Sequence, residues 1–252
     1  MSPMLRRPVI SLTSLAFFAG AWFLFAIQIG DPQILPRPDR LLVPFWSELQ
    51  SGDLTFHLSQ TLKRVLFAFL LAMVLGAILG FVLGCSDQVN EWLDPWLVLF
   101  LNLPALVLIV LCYLWVGLTE IAAIVAVTIN KVPNVAVIIR EGTRALSADI
   151  KALARVYQLG FARRFLHLEF PLLAPYFTAA ARSGIAIIWK IVLVVELLGR
   201  SNGIGFQIHL YFQLFDVGMV LVYAISFILV MLAFEWLVLQ PCERVANQWR
   251  IA

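Results

Sequence analysis

Three ionisable residues interrupt one apolar run: Arg182, Lys190 and Glu196 all fall within residues 172–198. A charge at bilayer depth costs at least ~2.5–3.5 kcal/mol on insertion scales, so such groups face protein or water. Arg182 lies near one end of the run and can snorkel. Glu196 lies near the other end, just before "LLGRSNGIG", and can meet the interface. Lys190 sits mid-run beside Trp189, where snorkelling is hard. Two readings stay open for it. One is a buried ion pair with Glu196 or Glu235. The other is a cation lining a pathway and attracting an anionic solute. No second centre of chemistry competes with this run. His57, His167 and His209 are scattered, none at metal-ligand spacing from another, so no metal is assigned. Cys85, Cys112 and Cys242 are odd in number and widely spaced, which gives neither a disulfide framework nor a zinc pattern. Without a nucleophile–base cluster or a metal set, a membrane enzyme ranks last among the functions.

The elements that hold these residues must be membrane spans. The 252-residue chain is 62% hydrophobic and only 13% charged, against about 25% charged in an ordinary soluble domain. A water-soluble protein of this size could not hide so much apolar surface. The net charge of +3 is too small to suggest nucleic acid. Six apolar stretches can be drawn, at 9–29, 62–84, 95–116, 119–139, 172–198 and 217–239. Each is close to the ~20 residues that cross a hydrocarbon core as a helix. "GLTE" makes a tight hairpin between the third and fourth. The first stretch resembles a signal peptide after "MLRRPVI", but it outruns the ~7–15 apolar residues of a signal and reads as an uncleaved span.

Six spans place both termini on one side, and Lys/Arg bias picks the side. With the N-terminus inside, the cytoplasmic pieces hold Arg6, Arg7, Lys131, Arg140, Arg144, Lys151, Arg155, Arg163, Arg164, Arg244 and Arg250. The outside pieces hold Arg37, Arg40, Lys63, Arg64 and Arg200. Eleven against five puts both termini in the cytoplasm. One inside loop, "CSDQVNEWLD", dissents by being acidic, but acidic residues weigh little in the rule.

Residues 140–171 are then the longest cytoplasmic loop. Ile150, Leu153 and Tyr157 make one apolar helical face, with Lys151 and Arg155 off it. Gly160 can end that helix in a left-handed conformation. Phe161, Phe165 and Leu168 draw a second face, and Pro171 stops the second helix at the membrane. The pattern is an amphipathic hairpin. It suits an interfacial helix pair on anionic lipid and a docking element for a partner equally well.

Other features have a packing reading beside a functional one. Gly76, Gly80 and Gly84 form a small-residue ridge for close helix packing. Asn102 with Pro104, and Asn130 with Pro133, break two helices near mid-membrane, as kinks or as pore-lining polar groups. In "GRSNGIGF", Gly199, Gly203 and Gly205 permit tight turns. From about Leu41 the segment before the second span looks amphipathic, and Trp46 suits an interface.

The stretch "KALARVYQLGFARRFLHLEFPLLAPYF" resembles the cytoplasmic signature of bacterial ABC-importer permeases: E-A-A, three residues, G, nine residues, I, any residue, L-P. Phe170-Pro171 takes the place of "LP", and Leu168 that of "I". Gln158 stands at the glycine, with Gly160 a displaced turn. Ala152, Leu153 and Ala154 replace "EAA". "ARVYQ" is similar to the "ARxYG" of the nitrate, sulfonate and taurine subgroup. "HLSQTLKRVLFAFLLAMVLGAILGFVLG", "LDPWLVLFLNLPALVLIVLCYLWVGLTE" and "WKIVLVVELLGRSNGIGFQI" are similar to that subgroup's core segments, in the same order. The resemblance runs from about residue 36 to 250.

The resemblance implies an all-α integral membrane protein of the bacterial cytoplasmic membrane, with six transmembrane helices of the type I ABC-importer permease architecture. Residues 1–252 form one transmembrane domain, with an N-terminal span in 1–35, a permease core in 55–245 and a coupling loop in 140–171. It implies two ATP-binding subunits, an extracytoplasmic solute-binding protein and a second permease copy, most simply a homodimer, with a heterodimer of two different permeases as the alternative. Asp149, Lys151, Ala152, Ala154, Arg155, Tyr157, Gln158, Gly160 and Pro171 would serve the coupling loop. Asn102, Pro104, Asn130, Trp189, Lys190 and Glu196 would line the pathway. Gly203 and Gly205 would form a periplasmic loop touching the binding protein. ATP and Mg²⁺ would belong to the partner, since no G-x-x-x-x-G-K-[ST] occurs in this sequence. The solute would be small and anionic or organic, nitrate-, sulfonate- or taurine-like, with a thiamine-precursor-like heterocycle as the alternative. An ATP-independent transporter or channel is the rival class, and the spans show no inverted repeat in its favour.

Overall fold

The computed structural model describes residues 3–146, 160, 163 and 169–241. All regular structure among them is helical. Of the coupling residues, Asp149, Lys151, Ala152, Ala154, Arg155, Tyr157 and Gln158 lie outside the described residues. Gly160 is exposed.

Helix α1 (Pro3–Ile29) leads to α2 (Pro38–Ser51), which starts on proline, where the missing N–H costs nothing. Trp46 of α2 is exposed. Gly52, at φ 86°, joins α2 to α3 (Asp53–Cys85) through a single left-handed residue. At 33 residues α3 is roughly 50 Å long and overshoots a hydrocarbon core.

The apolar stretch expected as one span over 95–116 is two helices. Ser86 caps α4 (Asp87–Asn102) by accepting from Val89 N–H, so much of the expected acidic loop is helix. Pro104 then holds Leu103 in extended backbone, and α5 (Ala105–Val116) leaves at 96° to α4. The hairpin at "GLTE" is as short as its residues suggest: Gly117 takes φ 80° and Thr119 caps α6 (Glu120–Ala145). Pro133 does not break α6, which runs through it for 26 residues. Pro171 sits in the first turn of α7 (Phe170–Gly199), and the segment it was expected to end lies outside the described residues. Helices α8 (Ile204–Gln213) and α9 (Val217–Phe234) follow, the latter continued by a π-turn over Glu235–Leu239.

The core lies where α3, α6 and α7 meet. The glycine ridge of α3 is pressed on α6: a Cβ on Gly76 would stand 2.6 Å from Val135 Cβ, and one on Gly84 2.5 Å from Thr143 Cβ. Only glycine permits that approach. Trp189 of α7 packs edge-on against Phe227 and Phe234. Outside the core, Phe17, Leu114, Trp115 and Leu237 point away from the protein, as lipid solvation allows.

Three helices are long and apolar enough to cross a membrane (α3, α6, and α9 with its π-turn), or four with the bent α4–α5 pair as one span. Helix α7, at 30 residues but with Arg182, Lys190 and Glu196 in it, falls outside that count. The six-span expectation is met only to this extent. Two cations used in the side assignment sit inside helices and are buried: Lys131 midway along α6, and Arg64 in α3. Removing both leaves ten against four, with the bias unchanged in direction.

Candidate functional site

Glu196 lies in the last turn of α7 and is fully buried. Three donors converge on its carboxylate. Arg64 Nη1 reaches Oε1 at 2.6 Å, while Thr61 Oγ1 and Gly205 N–H reach Oε2 at 2.9 and 2.8 Å. Thr61 Oγ1 in turn accepts from Ile204 N–H at 2.8 Å. A buried carboxylate is tolerated when its lone pairs are filled in this way.

Arg64 carries the network outward. Its Nε and Nη2 grip Glu120 of α6 in a two-pronged bridge, at 2.8 and 2.6 Å. Nη1 also donates to Asn202 O at 2.9 Å, and Nη2 to Asn202 Oδ1. Arg200 shares Glu120 at 2.6 Å and donates to Leu118 O. Two arginines and two carboxylates thus balance, and they tie α3, α6, α7 and the 200–205 loop into one end of the bundle.

The loop glycines follow from this geometry. Gly203 has φ 112°, and a Cβ on it would run into the Glu196 carboxylate. A Cβ on Gly205 would stand 2.8 Å from Glu196 Cβ and collide with Leu193 O. His57 Nδ1 accepts from Gly203 N–H at 3.0 Å, so the neutral ring carries its proton on Nε2, 2.6 Å from the Gln207 amide.

Glu196, Gly203 and Gly205 are therefore neighbours in one latch, although the sequence suggested separate roles. Glu196 is not the partner of Lys190. Neither is Glu235, which faces Arg182 at 3.3 Å. Lys190 is exposed, and no carboxylate among the described residues lies within ion-pair reach of it. It shares one open face of α7 with Ser183, Ala186, Val194 and Leu197.

The remaining expected pathway residues scatter. Trp189 is core. Asn102 and Pro104 are exposed at the α4–α5 break, and Asn102 Nδ2 donates to Val98 O of its own helix at 2.7 Å. Asn130 is half-buried on α6. Among the described residues no group of three side chains could hold a metal ion.

Sequence reading missed Arg64, Glu120, Thr61 and His57 as a set. One signal was present: His57, Thr61 and Arg64 fall at i, i+4 and i+7 on one helical face, among other polar residues of the first turns of α3 (Ser59, Gln60, Lys63) that mask it.

Residues 52–240 match the family described as binding-protein-dependent transport system inner membrane component. A permease protein of Escherichia coli (strain K12) named for aliphatic sulfonates transport, SsuC, is 33% identical over 174 residues, 69% of this chain. That match spans 66% of SsuC, just under two thirds of its length. The taurine transport system permease protein TauC of the same organism is 23% identical over 213 residues, 82% of this chain and 78% of TauC. Among solved structures, an amino acid ABC transporter crystallised with histidines has a chain of like fold. Its TM-score is 0.64 at 19% identity, over 79% of this chain and 97% of that one. The chain belongs to the binding-protein-dependent transport system permeases of the inner membrane.

Proposed function

We propose that this permease passes a small organic anion, of the sulfonate class, inward across the bacterial cytoplasmic membrane. The observation that carries the reading is Lys190. It is an ammonium midway along an apolar helix, exposed, with both candidate carboxylates engaged elsewhere. A cation there is costly against lipid and must meet protein or water. A pathway between two copies of the chain supplies both, and an anion gains most from it. The sulfonate names of SsuC and TauC point to the same chemistry.

The permease works in this reading as a homodimer with two ATPase subunits, which bring the ATP and Mg²⁺, and with an extracytoplasmic binding protein. Both termini and the 140–171 loop face the cytoplasm. The latch at Glu196 then holds the Gly203–Gly205 loop on the side of the binding protein.

The test is uptake of ³⁵S-taurine and ³⁵S-ethanesulfonate by cells carrying the permease, its ATPase and its binding protein. ATP-dependent uptake of at least one is expected. Uptake of neither, with uptake of an uncharged solute instead, would refute the anion reading. Native mass measurement of the purified complex tests the two-plus-two assembly.

A further inference from the structure

Lys131 is the one described lysine that is buried, at 1% exposure, in the middle of α6. Among the described residues its Nζ reaches one acceptor, the Ser183 carbonyl of α7 at 3.5 Å, and no carboxylate lies within ion-pair reach. Among the described residues every buried or half-buried arginine is paired: Arg37 with Asp39, Arg64 with Glu196 and Glu120, Arg140 with Asp94 and Glu141, Arg200 with Glu120. Gly184 has no side chain, and a Cβ there would stand 3.3 Å from Lys131 Cε, so the lysine stem crosses α7 at the glycine. It ends against Ser183, which lies on the open face of α7. Ser183 and Lys190 are seven residues apart, two turns, nearly in line and ~10.5 Å along the axis.

We infer that Lys131 is a second, concealed anion-binding group, its ammonium ending two turns along α7 from Lys190, for which the passing sulfonate or other small oxoanion supplies the missing counter-charge. The inference rests on the anionic reading proposed above. A lysine side chain is a flexible stem with a point charge. Here it can swing past Gly184 to the face that carries Lys190, and fold back when the anion has left.

The experiment is uptake of ³⁵S-taurine, ³⁵S-ethanesulfonate and nitrate by cells carrying the whole transporter, with wild type, Lys131→Met, Lys131→Gln and Lys190→Met side by side. Thermal unfolding of each purified permease runs in parallel. Lys131→Met is expected to fold at least as stably as wild type, since an uncompensated buried ammonium is gone. It is expected to lose anion uptake by at least roughly tenfold, the scale of one lost charged hydrogen bond. Unchanged uptake by Lys131→Met overturns the inference whatever Lys190→Met does. Loss of folded protein in both Lys131→Met and Lys131→Gln makes Lys131 a structural post and overturns it as well. Wild-type uptake of none of the three anions instead removes the anionic reading, and this inference with it.

Discussion

The N–H of Gly205 donates to a carboxylate oxygen of Glu196 at 2.8 Å, across a gap that any side chain at residue 205 would fill. The loop after α7 is thus fastened to the helix it has just left, and the fastening needs both the buried charge and the bare backbone. Arg64, from a helix 132 residues away in sequence, neutralises that charge.

Arg64→Met is expected to be the most damaging single change in the latch. It strands Glu196 in the interior, and breaking a buried pair from one side costs ~3–5 kcal/mol. Glu196→Gln should cost less, because Arg64 keeps both oxygens of Glu120. Thermal unfolding in detergent ranks the two. The reverse order would mean that the Glu196 carboxylate holds the latch through Thr61 and Gly205 more than through its pairing with Arg64.

Glycine substitutions separate strain from collision. Gly203→Ala combines φ 112° with contact against Glu196, and should exceed the ~1–2 kcal/mol of left-handed strain alone. Gly52→Ala, at φ 86° with nothing within 4 Å, should cost only that strain. Equal losses at the two sites would show that the loop moves away from Glu196 easily.

The α3–α6 seam gives a third contrast. Gly80→Leu places a side chain into the Ala136 backbone and Ile139 Cβ and should over-pack the seam by ~1–3 kcal/mol or more. Gly20→Leu, where nothing lies within 4 Å of the added carbon, should leave folding unchanged. Yield of folded protein after membrane extraction reads both. Tolerance of leucine at residue 80 would mean that α3 and α6 separate at low cost.

The legible parts of this fold were those with local causes. The glycine ridge needs only a four-residue repeat, and the turn at Gly117 needs only a glycine before a capping threonine. Proline was read less well. Pro104 bends the chain, but Pro133 is absorbed inside α6, because a proline loses only one backbone bond and the surroundings decide whether that matters. The latch was not legible. Its partners come from α3, α6 and α7, and pairing across such distances leaves no periodic trace. For the same reason Glu196 stood as one candidate partner of Lys190, six residues away in sequence, while its actual partner is Arg64.

That correction sharpens the test of Lys190. With Glu196 and Glu235 engaged by Arg64 and Arg182, Lys190→Met strands no carboxylate and should insert and fold at least as well as wild type. A buried pair would have predicted a loss of ~3–5 kcal/mol instead. Transport should behave differently from folding. Removing the ammonium from the open face of α7 should slow sulfonate uptake by about tenfold, the scale of a ~1.5 kcal/mol contact to a charged group. Lys190→Arg keeps the charge and should retain most of the rate. Adding Glu196→Gln to Lys190→Met should not restore uptake, since it loosens the Arg64 latch without touching the face. Full wild-type uptake by Lys190→Met alone would end the pathway reading, and loss of folded protein would return Lys190 to a structural role.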